Sequence, residues 1–220
     1  MKIFATVKEQ VYQSIKQDIC NGKLAPGQWL QEQEIASQLN VSRSPVREAF
    51  RMLSGDGLVN EIPNKGVFVR KFTQKDIEDI FDVRKMLETY AIYNSKKYMT
   101  KDKEEELYDS LEKMKVAFRT KDMDAYVDLD THIHELIIRL SGNELVNLFY
   151  DKVHSMLQPF RIYSLTETER FSESITEHTD IVEAIIKGDV ATANERNLTH
   201  LTLAQGAVKN YLRGMTRDVE

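Results

Sequence analysis

The sequence predicts a mainly α protein in two parts. Residues 1–72 form an N-terminal winged helix-turn-helix, three helices plus a two-stranded wing, and residues 73–220 form an all-α antiparallel helical bundle. Three observations predict this. The first part alternates short apolar helical patterns with turn chemistry and closes on two β-prone runs. The second part repeats apolar residues at helical spacing and carries no strand signal. The breaks between its periodic stretches are short, so consecutive helices must run antiparallel.

The first helix covers about 5–21, with Val7, Val11, Ile15 and Ile19 inward, and stops at Asn21-Gly22. Leu24-Ala25-Pro26-Gly27 is a turn. A short helix at about 32–39 turns Ile35, Ala36 and Leu39 to one face, and Asn40-Val41 turns the chain. A third helix at about 43–55 buries Val46, Phe50 and Leu53. Gly57-Leu58-Val59 and Gly66-Val67-Phe68-Val69 are strands joined by Pro63-Asn64-Lys65-Gly66, which is hairpin chemistry. Thr73-Gln74-Lys75-Asp76 fits a helix start with a first-turn carboxylate, so the boundary falls near Lys71–Thr73. Six amphipathic helices follow, at about 74–98, 102–120, 122–140, 143–163, 168–187 and 189–214. The breaks fall at Thr100-Lys101, Lys121-Asp122, Ser141-Gly142-Asn143, around Leu165-Thr166, and at Gly188-Asp189.

Hydrophobic residues make up 41% of the 220, enough for a packed core. No apolar run approaches a membrane span and MKIFATVKEQ is not a signal peptide, so a cytoplasmic protein with no membrane partner is expected. The single cysteine, Cys20, excludes a disulfide framework within one chain and belongs in the core of the first helix. The net charge of −5 divides unevenly: residues 1–72 carry ten Lys and Arg against seven Asp and Glu, and the remainder is acidic. Different partners for the two parts follow.

The most specific string is VSRSPVREAFRMLSGDGLV, residues 41–59. Arg43 and Arg47 are four apart and share a helix face. Pro45 sits in the first turn, where its missing N–H does no harm. Ser42 and Ser44 can cap free N–H groups or donate to phosphate. A helix entering the major groove needs arginines near its N-terminus to reach guanine O6 and N7. Residues 7–70 resemble the DNA-binding domain of GntR-family transcriptional regulators. The matching residues are Ile19 to Gly27, Leu30, Glu34-Ile35-Ala36, Val41 to Ala49, Gly57-Leu58-Val59 and Gly66. The resemblance implies that Arg43 and Arg47 reach bases or phosphates and that Lys65-Gly66 at the wing tip approaches the minor groove. Some relatives carry arginine at the position of Gln33 and histidine at that of Lys65, so the operator sequence stays open. It also implies a homodimer on double-stranded operator DNA, with half-sites about one helical turn apart.

In the second part, DTHIHELII (130–138) places Asp130 and His134 within the apolar stripe Met123, Tyr126, Val127, Ile133, Ile137 and Leu140. A buried carboxylate needs a partner. One reading is a hydrogen-bonded core pair. His178, between Ile175 and Val182, and His200, beside Asn197, Leu201 and Ala204, also lie on inward stripes. Three helices therefore each present an inward metal-ligand type. One Asp with three His suits Zn²⁺, Ni²⁺, Mn²⁺ or Fe²⁺. His132 faces away, and His154 shares a face with Tyr150, Leu157 and Arg161.

Residues 75–214 resemble the FCD ligand-binding domain of the FadR subfamily, with a helix count like that of the VanR-type branch. The carrying residues are Val83 to Glu88, Asp130 with His134, Ser141-Gly142-Asn143, Glu177-His178 with Ile181, Ala184-Ile185, Gly188-Asp189 and His200. Ile133 stands where many members have phenylalanine. The resemblance implies one divalent metal per chain, with zinc expected in purified protein, held by Asp130, His134, His178 and His200. Open positions on the metal would take a small organic acid as effector. Arg84 is the candidate second anchor for its carboxylate, its alternative being a surface pair with Asp82 or Glu88. Arg139, Arg161 and Asn143 are further effector candidates.

The expectation is a DNA-binding repressor released by its effector, with activation or co-repression as alternatives. Its rivals are a purely structural metal, a metal sensor, and a metal-dependent hydrolase. The last lacks a general base beside the open position, since Glu135 turns off the stripe and Glu177 adjoins His178.

Overall fold

In the computed structural model of the chain, residues 5–161 and 168–217 are described. The chain divides into two compact units, Met1–Thr73 with His154–Pro159, and Gln74–Val153 with Phe160–Glu220.

The first unit begins with α1 (Val7–Cys20), whose start is fixed by a capping box: Thr6 accepts from the Glu9 N–H and Glu9 accepts from the Thr6 N–H. β1 (Trp29–Leu30), α2 (Glu32–Gln38) and α3 (Arg43–Gly55) follow, then β2 (Val59–Ile62) and β3 (Gly66–Val69). Between α2 and α3 the chain turns through Asn40 at φ 52°. Val11, Ile15 and Ile19 of α1 pack with Val46, Ala49, Phe50 and Leu53 of α3 and with Leu58 and Val69 below the wing.

Three details differ from the sequence expectation. The wing is a three-stranded antiparallel sheet in the order β1-β3-β2, not a two-stranded ribbon. Trp29 pairs with Phe68 and Leu30 with Val67. A two-residue strand is too short to leave a period in the sequence. Val7 is half exposed in the first turn of α1. Cys20 is only partly buried, because it lies one position past Ile19, the last residue of the buried stripe.

After Thr73 the described chain is helical: α4 (Gln74–Tyr98), α5 (Lys101–Thr120), α6 (Met123–Arg139), α7 (Glu144–Leu157), α8 (Thr168–Ile186) and α9 (Val190–Arg217). Asp122 caps α6 through the Ala125 N–H, and Thr100 caps α5 through the Lys103 N–H. The helix expected over 143–163 ends at Leu157 and tightens to a 3₁₀ turn at Gln158–Phe160. Pro159 cannot donate the next α-helical hydrogen bond. The break expected around Leu165-Thr166 lies outside the described residues. The core is built from Ile92 of α4, Leu107, Leu111 and Met114 of α5, Tyr126, Ile133 and Ile137 of α6, and Ile181, Val182 and Ile185 of α8. α4 and α9 lie side by side and antiparallel: Gln74 donates to the Lys209 carbonyl at 2.8 Å, and Lys85 to Gln205 at 2.9 Å.

Candidate metal centre and DNA-reading face

The apolar stripe of α6 buries Tyr126, Val127, Ile133 and Ile137, and the same face carries Asp130 and His134 one turn apart. α8 brings His178 and α9 brings His200 to the same point. The four candidate ligand atoms all lie within 4.8 Å of one another, and the three imidazoles are buried.

Each imidazole is tied at Nδ1. His134 Nδ1 donates to Glu88 Oε2 at 3.0 Å, His200 Nδ1 to Glu177 Oε2 at 2.7 Å, and His178 Nδ1 to the Ser174 carbonyl at 2.8 Å. With the protons there, every Nε2 presents a lone pair to the centre. His134 Nε2 and His200 Nε2 then stand 3.2 Å apart, acceptor against acceptor. His178 Nε2 lies 3.1 Å from Asp130 Oδ1 and is hydrogen-bonded to nothing among the described residues. Four lone pairs converging where three of the four side chains are buried repel one another unless a cation lies between them. A metal about 2.1 Å from each ligand spaces neighbouring ligand atoms about 3 Å apart. The donor set fits a divalent transition metal.

The surroundings keep His134 and His200 neutral. Burial pushes the His134 pKa down, and burial with the nearby His178 pushes His200 to about 3. Burial opposes charge on Glu88, but His134 and Arg84 outweigh it and hold the carboxyl below its ordinary range. Burial likewise works against Glu177, and its bonds from His200 and Arg170 bring it to about 2. Arg84 Nε donates to Glu88 Oε1 at 2.7 Å, and Arg170 grips Glu177 through two bonds of 2.6 Å. With Glu88 balanced by Arg84 and Glu177 by Arg170, Asp130 supplies the remaining negative charge.

The sequence candidates separate here. Asp130, His134, His178 and His200 come together. Arg84 adjoins the cluster, and its ion pair with Glu88 is buried, not the surface pair that spacing alone allowed. Arg139 is half exposed and faces Glu106 of α5 at 3.9 Å. Arg161 donates to the Val127 carbonyl and lies 3.7 Å from Asp128. Asn143 Oδ1 accepts from the Leu145 N–H at 3.0 Å and so starts α7. His132 lies outward between Glu106 and Glu135, and His154 meets Gln158. Sequence reasoning missed Glu88, Ser174, Arg170 and the role of Glu177. Arg84 and Glu88 carried a usable signal, an ion pair at i,i+4 on a helix that must pack.

In the first unit, α3 exposes Arg43 and Arg47 on one side. Both converge on Glu32, in the first turn of α2. Arg47 donates twice to its carboxylate, at 3.0 Å each, and Arg43 Nη2 lies 3.7 Å away. The Arg47 bond draws the Glu32 pKa down. Ser42 is the N-cap of α3 by position, yet its side chain makes no capping bond. Ser44 lies exposed in the first turn of α3, and Gln33 is exposed on α2. At the wing tip Asn64 and Gly66 take positive φ, 61° and 106°, which sets Lys65 at the apex of the β2–β3 turn. Gly66 also touches the indole of Trp29: a Cβ there would lie 2.6 Å from Nε1.

Comparison with known proteins agrees with both halves. The gntR family of bacterial regulatory proteins matches residues 7–69, and the FCD domain matches residues 79–203. The HTH-type transcriptional repressor RspR of Escherichia coli (strain K12) is 28% identical over 193 residues, covering 88% of this chain and 84% of the relative. The gluconate operon transcriptional repressor of Bacillus subtilis (strain 168) is 29% identical over 192 residues, covering 85% and 79%. The solved structure of E. coli McbR/YncC superposes with a TM-score of 0.79 at 20% identity, covering 94% of this chain and 99% of that one, a likeness of fold. These are transcription regulators, not enzymes. No helix among the described residues is long and apolar enough to cross a membrane. With a reading helix and wing at its front and an FCD bundle behind, the chain belongs to the gntR family of bacterial regulatory proteins and is a DNA-binding transcriptional regulator.

Proposed function

We propose that this protein is a metal-containing repressor whose hold on operator DNA is set by a small organic acid bound in the helical unit. The observation that carries the reading is the tautomer pattern: three Nδ1 atoms tied to Glu88, Glu177 and Ser174 leave three Nε2 lone pairs and the Asp130 carboxylate around one point. Asp130, His134, His178 and His200 would hold the ion, zinc as purified. Four protein ligands leave room on a metal that accepts five or six, and the ion supplies there a Lewis-acidic seat for a carboxylate. Arg84 is the second anchor. Its Nε is engaged by Glu88, and a guanidinium can hold an effector carboxylate through two N–H groups at once. Arg139 and Arg161 meet other groups, and Asn143 caps α7, so Arg84 leads this set.

On DNA, Arg43 and Arg47 would read the major groove. Ser42, Ser44 and Gln33 would touch phosphates or neighbouring bases, and Lys65-Gly66 would enter the minor groove. Two copies would bind two half-sites. α4 exposes Val83, Met86, Tyr90 and Tyr93 along one face, and α7 exposes Leu145, Leu148 and Phe149. Apolar faces of this size suit a homodimer contact. α4 also carries Arg84 and Glu88 and follows the DNA-binding unit directly in the chain. A ligand gripping Arg84 would bias the spacing of the two recognition helices through α4, with a coupling of about 1–3 kcal/mol.

A second reading, a purely structural ion, is favoured by one observation, the full burial of three imidazoles from three helices. A thermal-shift screen of zinc-loaded protein against small carboxylic and sugar acids, with His134→Ala alongside, separates the two. An acid that stabilises the parent and not the variant, and that weakens operator binding, supports effector control. Chelation lowering the melting point with no acid raising it supports the structural ion.

A further inference from the structure

α3 presents Arg43 and Arg47 to solvent, and α2 treats them differently. Glu32 opens α2, 15 positions before Arg47 in the chain. Arg47 gives it two bonds: Nε donates to Oε1 and Nη2 to Oε2, both at 3.0 Å. Arg43 Nη2 lies 3.7 Å from the same Oε2, beyond hydrogen-bonding reach. One guanidinium is therefore held in plane by Glu32 and the other is not. The hold rests on the core below it. Ile35 and Ala36 of α2 share a buried cluster with Val46 and Ala49 of α3, so the two helices keep their spacing. The pair itself stays at the surface, with the Arg47 side chain 56% and the Glu32 side chain 27% exposed. An ion pair so exposed adds little to stability. Its geometry fits another use.

A guanidinium carries its N–H groups in one plane, along two usable edges. Glu32 takes the side edge, formed by Nε and Nη2. The end edge, one N–H from each of Nη1 and Nη2, is the parallel fork that meets O6 and N7 of guanine. Held at two points, that fork is already oriented, so little freedom is left to lose on binding. The charge favours a base over a phosphate. Phosphate attracts net positive charge, and the carboxylate beside Arg47 cancels it. Guanine O6 and N7 are uncharged acceptors, and what they demand is direction. Two arginines and one glutamate keep a single net positive charge, and it falls to Arg43.

We infer that Glu32 is a positioning residue for sequence recognition: it holds the side edge of Arg47 and leaves the end edge open, so that Arg47 reads one guanine in each half-site. This rests on the reading above that α3 enters the major groove.

The test uses the full chain and a pool of duplexes with about 20 randomised base pairs, enough for two half-sites one helical turn apart. The parent, Glu32→Gln, Glu32→Ala, Arg47→Ala, the Glu32→Ala with Arg47→Ala double variant, and Glu34→Gln are each selected against the pool. Affinities for the parent's selected duplex and for a scrambled duplex are then titrated by fluorescence anisotropy. Glu34 is the charge control, exposed on the same helix and bonded by Gln31 at 2.7 Å, not by an arginine. Charge counting alone says that losing a carboxylate from a DNA-binding surface tightens all DNA alike. Glu34→Gln should do no more than that and keep the parent's base preferences. Both Glu32 variants should lose the requirement for one G·C pair per half-site, the same pair that Arg47→Ala relaxes. Their ratio of selected to scrambled affinity should fall at least about fivefold, the lower end of what one bidentate arginine–guanine contact contributes. In the Arg47→Ala background, Glu32→Ala should change that ratio by less than about twofold, because its effect passes through Arg47. Melting temperatures of the Glu32 variants should match the parent's. Glu32 variants that keep every base preference, or a Glu34→Gln that behaves as they do, overturn the inference. So does a fall in melting temperature with loss of all sequence preference, which would show a structural role. If Arg47→Ala relaxes one base pair and the Glu32 variants do not, the major-groove reading stands and this inference alone fails. If Arg47→Ala weakens all DNA alike, Arg47 holds a phosphate and the inference fails with its base contact. If the parent enriches no sequence, the assignment of α3 as the reading helix fails and takes the inference with it.

Discussion

Each imidazole of the cluster is oriented by a group one bond further out, and those outer partners set what the site can hold. Glu177 is the cleaner probe, since its own side chain stays partly open to water whereas that of Glu88 is fully buried. Replacing Glu177 with Gln removes the negative charge from His200 Nδ1 and should lower zinc affinity about 10–100-fold. Competition against a chromophoric chelator measures this; unchanged affinity would mean that the carboxylate only packs. The histidines also make the metal-free chain acid-sensitive. His200, with a folded pKa of about 3 against the ordinary 6.5 of a free imidazole, takes up a proton on unfolding. His134 is displaced in the same direction. For a base with a depressed folded pKa, full stability is present above the unfolded value and erodes as pH falls below it. Denaturant melts of chelated protein should therefore lose about 1.4 kcal/mol per pH unit for each such histidine below about pH 6.5. A flat profile from pH 7 to 5 would contradict neutral burial.

Among the elements, the wing and the recognition helix make separable demands. At Gly66, φ is 106° and a Cβ would lie 2.6 Å from the Trp29 indole nitrogen. Gly66→Ala should cost about 2–3 kcal/mol, from backbone strain and displaced packing together. Gly22 also has positive φ, 72°, but nothing lies within 4 Å of its Cβ position. Gly22→Ala should therefore cost only the backbone term, about 1–2 kcal/mol. Urea melts of the two variants check the difference, and equal losses would remove Trp29 from the explanation. On α3, Arg47→Ala should weaken operator binding by about 1–3 kcal/mol and relax preference at one base pair. Lys65→Ala should weaken all sequences alike and reduce the salt slope by about one. Gel-shift titrations on operator and scrambled DNA at several salt concentrations distinguish a base contact from a phosphate contact. Glu32 gives this a second layer: it holds Arg47 by two bonds, so on the proposed reading that guanidinium would reach DNA from a fixed starting geometry.

At the scale of the whole molecule, the candidate metal cluster joins α6, α8 and α9, and Glu88 and Glu177 extend the network to α4 and along α8. Removing the ion should leave lone pairs facing one another in the core. Chelation should lower the melting temperature by several degrees, and zinc should restore it. No shift under a strong chelator would mean that the cluster is held by hydrogen bonds alone. The exposed apolar faces of α4 and α7 give the quaternary prediction. Met86→Lys with Tyr93→Lys should move the sedimenting species from dimer to monomer without changing the far-ultraviolet helix signal. A dimer unaffected by both would place its contact on another face.

The sequence by itself determined what is local. Helical spacing located every long helix of the described residues, and turn chemistry located the hairpin. The i,i+4 pair on α6 with inward histidines on two other helices pointed to the four residues that converge, because which face of a helix is buried is written in its own periodicity. The recognition helix was legible for the same reason, its arginines and its proline lying within one turn. What only the tertiary structure decided is which distant groups meet. Glu88 supports His134 from 46 positions away, Tyr126 reaches Ser174 across 48, and β1 joins the sheet beside β3. Periodicity says that a face is buried but not what it is buried against. The register between two helices is fixed by the packing of whole faces, a sum of many small contacts that no short motif encodes. So the four clustered residues could be read from the chain, while the carboxylates that orient two of the imidazoles appear only once the helices are packed together.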